Sequence, residues 1–106
     1  TCALPILMVC SGGFSSTIVV NAIKKEADKQ GLPIEIIACG TPEFTLNVEQ
    51  FQPQVVIVAP QVKHRYAYFK EEGDKINLPV EQIPLNAYTP LGAPKIINEI
   101  IKKYMD

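Results

Sequence analysis

One cysteine in this sequence stands where reactive groups are often placed. Cys10 closes a short apolar run, Leu7-Met8-Val9, and is followed at once by Ser11, Gly12, Gly13, Phe14, Ser15, Ser16 and Thr17. An amphipathic pattern begins at Ile18, so the stretch reads as strand, tight loop and helix, with a thiol at the strand's carboxyl end. The paired glycines permit backbone conformations closed to other residues and let the chain approach a ligand closely. Loop amides and a helix N-terminus together form a ready anion site. Their partial positive charge favours negative charge on the sulfur. A nucleophilic sulfur inside a phosphate-sized cradle points to phosphoryl chemistry on cysteine. The plainer alternative is that Cys10 is a small buried hydrophobe beside an ordinary turn of an α/β protein.

Other chemistries find less support. The chain has neither GxGxxG nor GxxxxGK[ST], so neither a dinucleotide site nor a P-loop is indicated, and no cofactor is implied. His64 is the only histidine, which argues against zinc catalysis and against a Cys-His hydrolase. Its neighbours Lys63 and Arg65 make a solvated basic patch the simpler reading. No close pair of carboxylates suggests glycosidase work. A small cysteine-dependent phosphatase is the serious competitor, but such enzymes carry Cys-x5-Arg, whose arginine clamps the transferring group. Here Ser16 stands at that position, and none of Asp28, Asp74 and Asp106 precedes a proline to serve as the late general acid. A cradle without clamp or acid can hold a phosphocysteine but is poorly equipped to hydrolyse it.

The elements that must position this loop follow from the apolar spacing. Residues 4–9 read as a buried strand, with Pro5 tolerated near its start. Ile18, Val19, Ala22, Ile23 and Ala27 recur at helical spacing, with Ser15, Ser16 or Thr17 as the cap and Gly31 as the stop. Residues 34–38 form a second strand closing at Cys39 and Gly40. Thr41-Pro42 opens a short helix that Pro53 ends. The β-branched run 55–59 has the character of a central parallel strand. Val62, Tyr66 and Phe69 fit a helix ending at Gly73. Residues 78–83 read as an edge strand between prolines, and Ala93-Pro94 opens a last helix running to Tyr104.

Four strands alternating with helices predict an α/β fold: one domain over residues 1–106, with a four-stranded parallel sheet in the order 2-1-3-4 and helices on both faces. Cys10 then lies at the topological switch point between strands one and three, where such folds bind ligands. Ala59-Pro60-Gln61 sits at the same place, with Cys39 and Tyr88 at neighbouring strand ends. At 106 residues, with 47% hydrophobic and 20% charged, the chain has the composition of an ordinary globular domain. A net charge of −1 gives no case for nucleic acid. Three cysteines without CxxC or metal spacing, and no basic region before the first apolar run, suggest a reducing, cytoplasmic setting. A thiol redox role would need Cys39 as resolving partner, and a non-catalytic anion- or partner-binding module is a further alternative.

The run Leu7 to Thr17, the Ala59-Pro60-Gln61 segment and Tyr88 in the late loop resemble the enzyme IIB component of the lactose/cellobiose (chitobiose) family of the bacterial sugar phosphotransferase system. The likeness extends over essentially the whole chain. That family usually has Met where Phe14 stands and Gly where Ala59 stands. The resemblance implies a relay: a phosphohistidine on a IIA protein donates to Cys10, and the group passes to a sugar held by a membrane-embedded IIC protein. The domain would be cytoplasmic, held at the membrane through IIC. It implies Cys10 as nucleophile, residues 11–16 as the phosphate-binding loop, and Pro60, Gln61 and Tyr88 as the border of the site. Phe14 is then either a core plug or a docking contact at the loop apex.

Overall fold

The computed structural model of the protein describes residues 3–10 and 14–104, except for the side chains of residues 14–16. Strand β1 (Leu4–Cys10) leads to helix α1 (Phe14–Gln30), strand β2 (Ile34–Gly40) to helix α2 (Phe44–Phe51), and strand β3 (Val55–Val58) to helix α3 (Tyr66–Lys75). A short strand β4 (Val80–Gln82) and helix α4 (Ala93–Glu99) complete the order. The sheet runs β2-β1-β3-β4 with every neighbouring pair parallel, as the alternation of strands and helices predicts.

Alternation along β1 divides the core into two layers. Leu4, Ile6 and Met8 face α1 and α4, where they join Val19, Val20, Ile23, Ile96, Ile97 and Ile101. Leu7 and Val9 face the opposite side, with Phe44 from α2 and Phe69 from α3. Both β1 and β3 are apolar at nearly every position because each contributes side chains to both layers. Phe44 and Phe69 pack with their rings tilted at 55° and centroids 4.9 Å apart, which ties α2 to α3.

Helix boundaries depart from the sequence pattern in four places. Helix α1 starts at Phe14, so Ser15, Ser16 and Thr17 lie within its first turn instead of capping it, and Phe14 is the first helical residue instead of a loop apex. Thr41-Pro42 opens a 3-10 turn (Thr41–Glu43) ahead of α2, with Gly40, not Thr41, as its N-cap, and the Gly40 N–H donates to Glu43 Oε1 at 3.1 Å. Pro60–Arg65 forms a 3-10 turn ahead of α3, broken at Val62, so His64 precedes that helix instead of lying on it. The last helix tightens to 3-10 geometry over Ile101–Tyr104.

The stop of α3 is also displaced. Gly31 ends α1 as expected, with φ 72° and the Leu32 N–H bonded back to Ala27 at 2.8 Å. In α3 the left-handed residue is Asn77, with φ 58°, and the Leu78 N–H reaches the Gly73 carbonyl at 2.8 Å. Gly73 serves packing instead: a Cβ there would lie 2.5 Å from the Leu78 carbonyl oxygen and 2.6 Å from Val80 Cγ2.

Candidate functional site

Cys10 is the last residue of β1, and α1 begins four positions later. It pairs with Gly40 at the carboxyl end of β2, and its sheet neighbour on the other side is β3, so it sits at the switch point of the sheet. Its side chain is buried, with 2% of the residue exposed. The Cys10 thiol donates to the Cys39 carbonyl oxygen at 3.4 Å. Ser11, Gly12 and Gly13, the centre of the expected phosphate loop, lie outside the described residues. Phe14, Ser15 and Ser16 form the start of α1, so the backbone amides of this stretch belong to a helix N-terminus.

Register decides what Cys39 can do. Cys39 stands opposite Val9, one position before the Cys10–Gly40 pair. By strand alternation it shares a face with Val9, and it packs against the layer that Val9 joins. Cys10 follows Met8 to the other face. A disulfide needs Cβ atoms that point toward one another. The two thiols are neighbours in sequence register but project to opposite sides of the sheet, which argues against a resolving role for Cys39. Burial pushes the Cys39 thiol up to about 12, and its neighbours Cys10 and Glu43 push the same way. A thiol held so far above neutrality is a poor nucleophile.

On the other flank, the Ala59 N–H donates to the Val9 carbonyl at 2.8 Å, carrying the β1–β3 ladder to within one residue of Cys10. Pro60 is half-buried and Gln61 exposed at the start of the 3-10 turn, which packs against β1. The Val62 N–H closes that turn on the Ala59 carbonyl at 3.1 Å. Tyr88 follows the turn Leu85–Ala87 and packs, half-buried, against the α1/α4 layer. Gly92 holds this late segment tight: a Cβ there would meet the Ala87 carbonyl oxygen at 2.1 Å. The structure thus brings Cys10, Gly40, Pro60 and Gln61 to the carboxyl edge of the sheet, and seats Tyr88 through core packing.

Sequence reasoning did not single out Glu43, which fixes the turn after β2 directly beside Cys10. The signal was present as Gly40-Thr41-Pro42-Glu43, with an acid three residues after the N-cap. A glycine N-cap offers no side chain, so only the Glu43 half of a capping box can form.

The family model for the lactose/cellobiose-specific IIB subunit of the PTS system matches residues 5–99. The chain belongs to this family. A lactose-specific EIICB component from Streptococcus mutans is 34% identical over 73 residues, 69% of this chain but 12% of that protein. Its counterpart from Staphylococcus aureus is 29% identical over the same shares. This IIB chain therefore spans about an eighth of the length of the curated relatives it matches. Among solved structures, the cellobiose-specific IIB component of Borrelia burgdorferi superposes with a TM-score of 0.74 at 26% identity, covering 94% of this chain and 90% of that one. The lactose-specific IIB domain of Streptococcus pneumoniae gives the same TM-score at 19% identity, over 92% and 96% of the two chains, and so bears on the fold alone. The family makes the chain a component of a sugar phosphotransferase system. Among the described residues, no helix is long and apolar enough to cross a membrane.

Proposed function

We propose that this chain, as a single IIB-type domain over residues 1–106, is a phosphoryl carrier that uses Cys10 as its nucleophile. The observation that carries the reading is the location of Cys10 in a IIB-family chain: last residue of β1, at the switch point, just ahead of the N-terminus of α1. In the first step Cys10 Sγ attacks the phosphorus of a phosphohistidine on a IIA protein. The P–S bond forms as the P–N bond breaks, and the freed imidazole keeps the bonding pair and takes up the proton that the thiol gives up. In the second step a hydroxyl of a sugar held by IIC attacks the phosphorus. The P–O bond forms, the P–S bond breaks, and the thiolate is regenerated as the hydroxyl proton leaves.

Residues 11–16 would meet the added charge of roughly −2 with backbone amides, and fixed dipoles of this kind need no rearrangement as the charge arrives. Ser11, Ser15 and Ser16 hydroxyls can add hydrogen bonds. Pro60, Gln61 and Tyr88 would border the site. Cys10 must give up its hydrogen bond to Cys39 and come out of cover for each partner to reach it. With Ser16 in place of a clamping arginine, water attack on the phosphocysteine has no catalyst, which favours a relay over a hydrolase. The carrier would work on the cytoplasmic side of the membrane beside IIC.

Incubation with a phosphorylated IIA protein, followed by peptide mapping, tests the reading. The expected result is one phosphate on the peptide containing Cys10, stable once the donor is removed. A label on His64, or rapid turnover of a simple phosphate ester with no partner present, would overturn it.

A further inference from the structure

We propose that the exposed turn Lys63-His64-Arg65 is an electrostatic docking surface for the phosphoryl donor protein, complementary to the negative charge that its phosphohistidine carries. This rests on the carrier reading above. The turn lies against β1 at the carboxyl end of the sheet, just past the Ala59–Val9 hydrogen bond beside Cys10. Val62 beneath it is buried, while Lys63, His64 and Arg65 all point into solvent.

Their charge is uncommitted. Lys70 is paired with Asp74, Lys75 with Glu72 and Lys103 with Glu81. Among the described residues neither Lys63 nor Arg65 has an ion pair, which is equally true of Lys24, Lys25, Lys29, Lys95 and Lys102; what sets the turn apart is its place against β1 at the carboxyl end of the sheet. A chain of net charge −1 has here a run of consecutive cationic or protonatable side chains with no acid among them. Such a patch beside a reacting centre attracts a partner that brings negative charge, and a phosphoryl group alone supplies roughly −2. Steering of this sort raises association rates by about tenfold or more and fades with salt.

A lipid surface is the other anionic macromolecular target. Polybasic membrane segments carry on the order of four to eight cations. This turn offers fewer, and its one aliphatic residue, Val62, is turned inward, so a protein face fits better.

The test compares Lys63→Glu/Arg65→Glu with Lys24→Glu/Lys25→Glu, which makes the same charge change on exposed positions of α1. Circular dichroism checks that both remain folded. At low ionic strength the turn variant should lose about tenfold in kcat/KM for the phosphorylated IIA protein, with its rate at saturating donor retained and its salt dependence flattened. The α1 variant should stay within about twofold of wild type. Equal losses in the two variants, or no loss in either, would overturn the proposal. So would unchanged donor kinetics with weakened binding to phosphatidylserine-containing vesicles, which would make the turn a lipid contact. Calorimetric titration with IIA separates this from the carrier reading. If wild type binds IIA but Cys10 takes no phosphate, the carrier reading fails, and loss of binding in the turn variant still decides docking. If wild type neither binds nor is labelled, both fail.

Discussion

At the scale of single residues, the two cysteines of the sheet differ through register and burial. Cys10 was legible in the sequence because it ends an apolar run before glycines. Nothing local distinguished Cys39, whose character depends on which face of β2 it occupies and on Glu43 reaching back to Gly40. Cys10→Ser should remove both the phosphate label and sugar phosphorylation in a reconstituted system, while Cys39→Ser should leave both intact. A label that persists in Cys10→Ser would sink the nucleophile assignment. A second expectation follows from the Cys39 thiol being pushed up to about 12. Below that pH the protonated thiol dominates, and only the thiolate alkylates. Iodoacetamide labelling of the Cys39 peptide should therefore be slow at pH 8 and climb without a plateau through pH 10. A plateau near pH 9 would mean that burial does not hold the proton.

At the scale of elements, apolar spacing located the four α-helices and four strands of the described residues, but several of their ends obeyed packing that the sequence pattern did not show. The approach of Gly73 to the Leu78 carbonyl depends on how α3 crosses β4, so the glycine looked like a stop signal when its role is clearance. Gly73→Ala should gain up to about 1 kcal/mol in helix propensity yet lose more to the clash with backbone, for a net destabilisation of about 1–3 kcal/mol. Asn77→Ala should cost about 1 kcal/mol, because alanine resists the left-handed backbone. Urea midpoints measure both, and a stabilised Gly73→Ala would show that α3 can move away freely. The C-terminal turn is secured differently, by Tyr104 Oη–H and Lys103 Nζ donating to the Glu81 carboxylate on β4. Burial alone would raise the Glu81 carboxyl, but these two hydrogen bonds outweigh it and hold it below the usual carboxylate range. A depressed folded-state value stabilises the fold above the unfolded-state value and loses that contribution as pH falls through the folded one. Glu81→Gln should thus lower stability near neutrality by up to about 1 kcal/mol. The difference from wild type should shrink below pH 4. An undiminished difference at pH 3 would mean that charge plays no part.

At the scale of the whole molecule, the sheet order was legible because few arrangements of four parallel strands satisfy short right-handed crossovers. The same order fixes how the molecule should unfold. Strands β1 and β3 supply side chains to both core layers, with Ile6, Met8 and Ile57 on one side and Leu7, Val9, Val56 and Val58 on the other. Loss of α1 and α4 would expose the first set and loosen the strands that the second set needs. Neither layer has a sheet of its own, so partial unfolding leaves a large apolar face uncovered. The isolated chain should therefore unfold in one cooperative step, although its relatives join this unit to a much longer protein. Probes that sample different layers make the test. Far-UV circular dichroism reports all helices, while tyrosine fluorescence weights Tyr66 and Tyr68 beside the α2/α3 layer and Tyr88 and Tyr104 beside the other. The two urea curves should superpose, with a slope of about 1–2 kcal/mol/M. Separation of the curves, or a transition that loses tyrosine signal before helix content, would mean that one layer melts alone and that β1 does not couple the two.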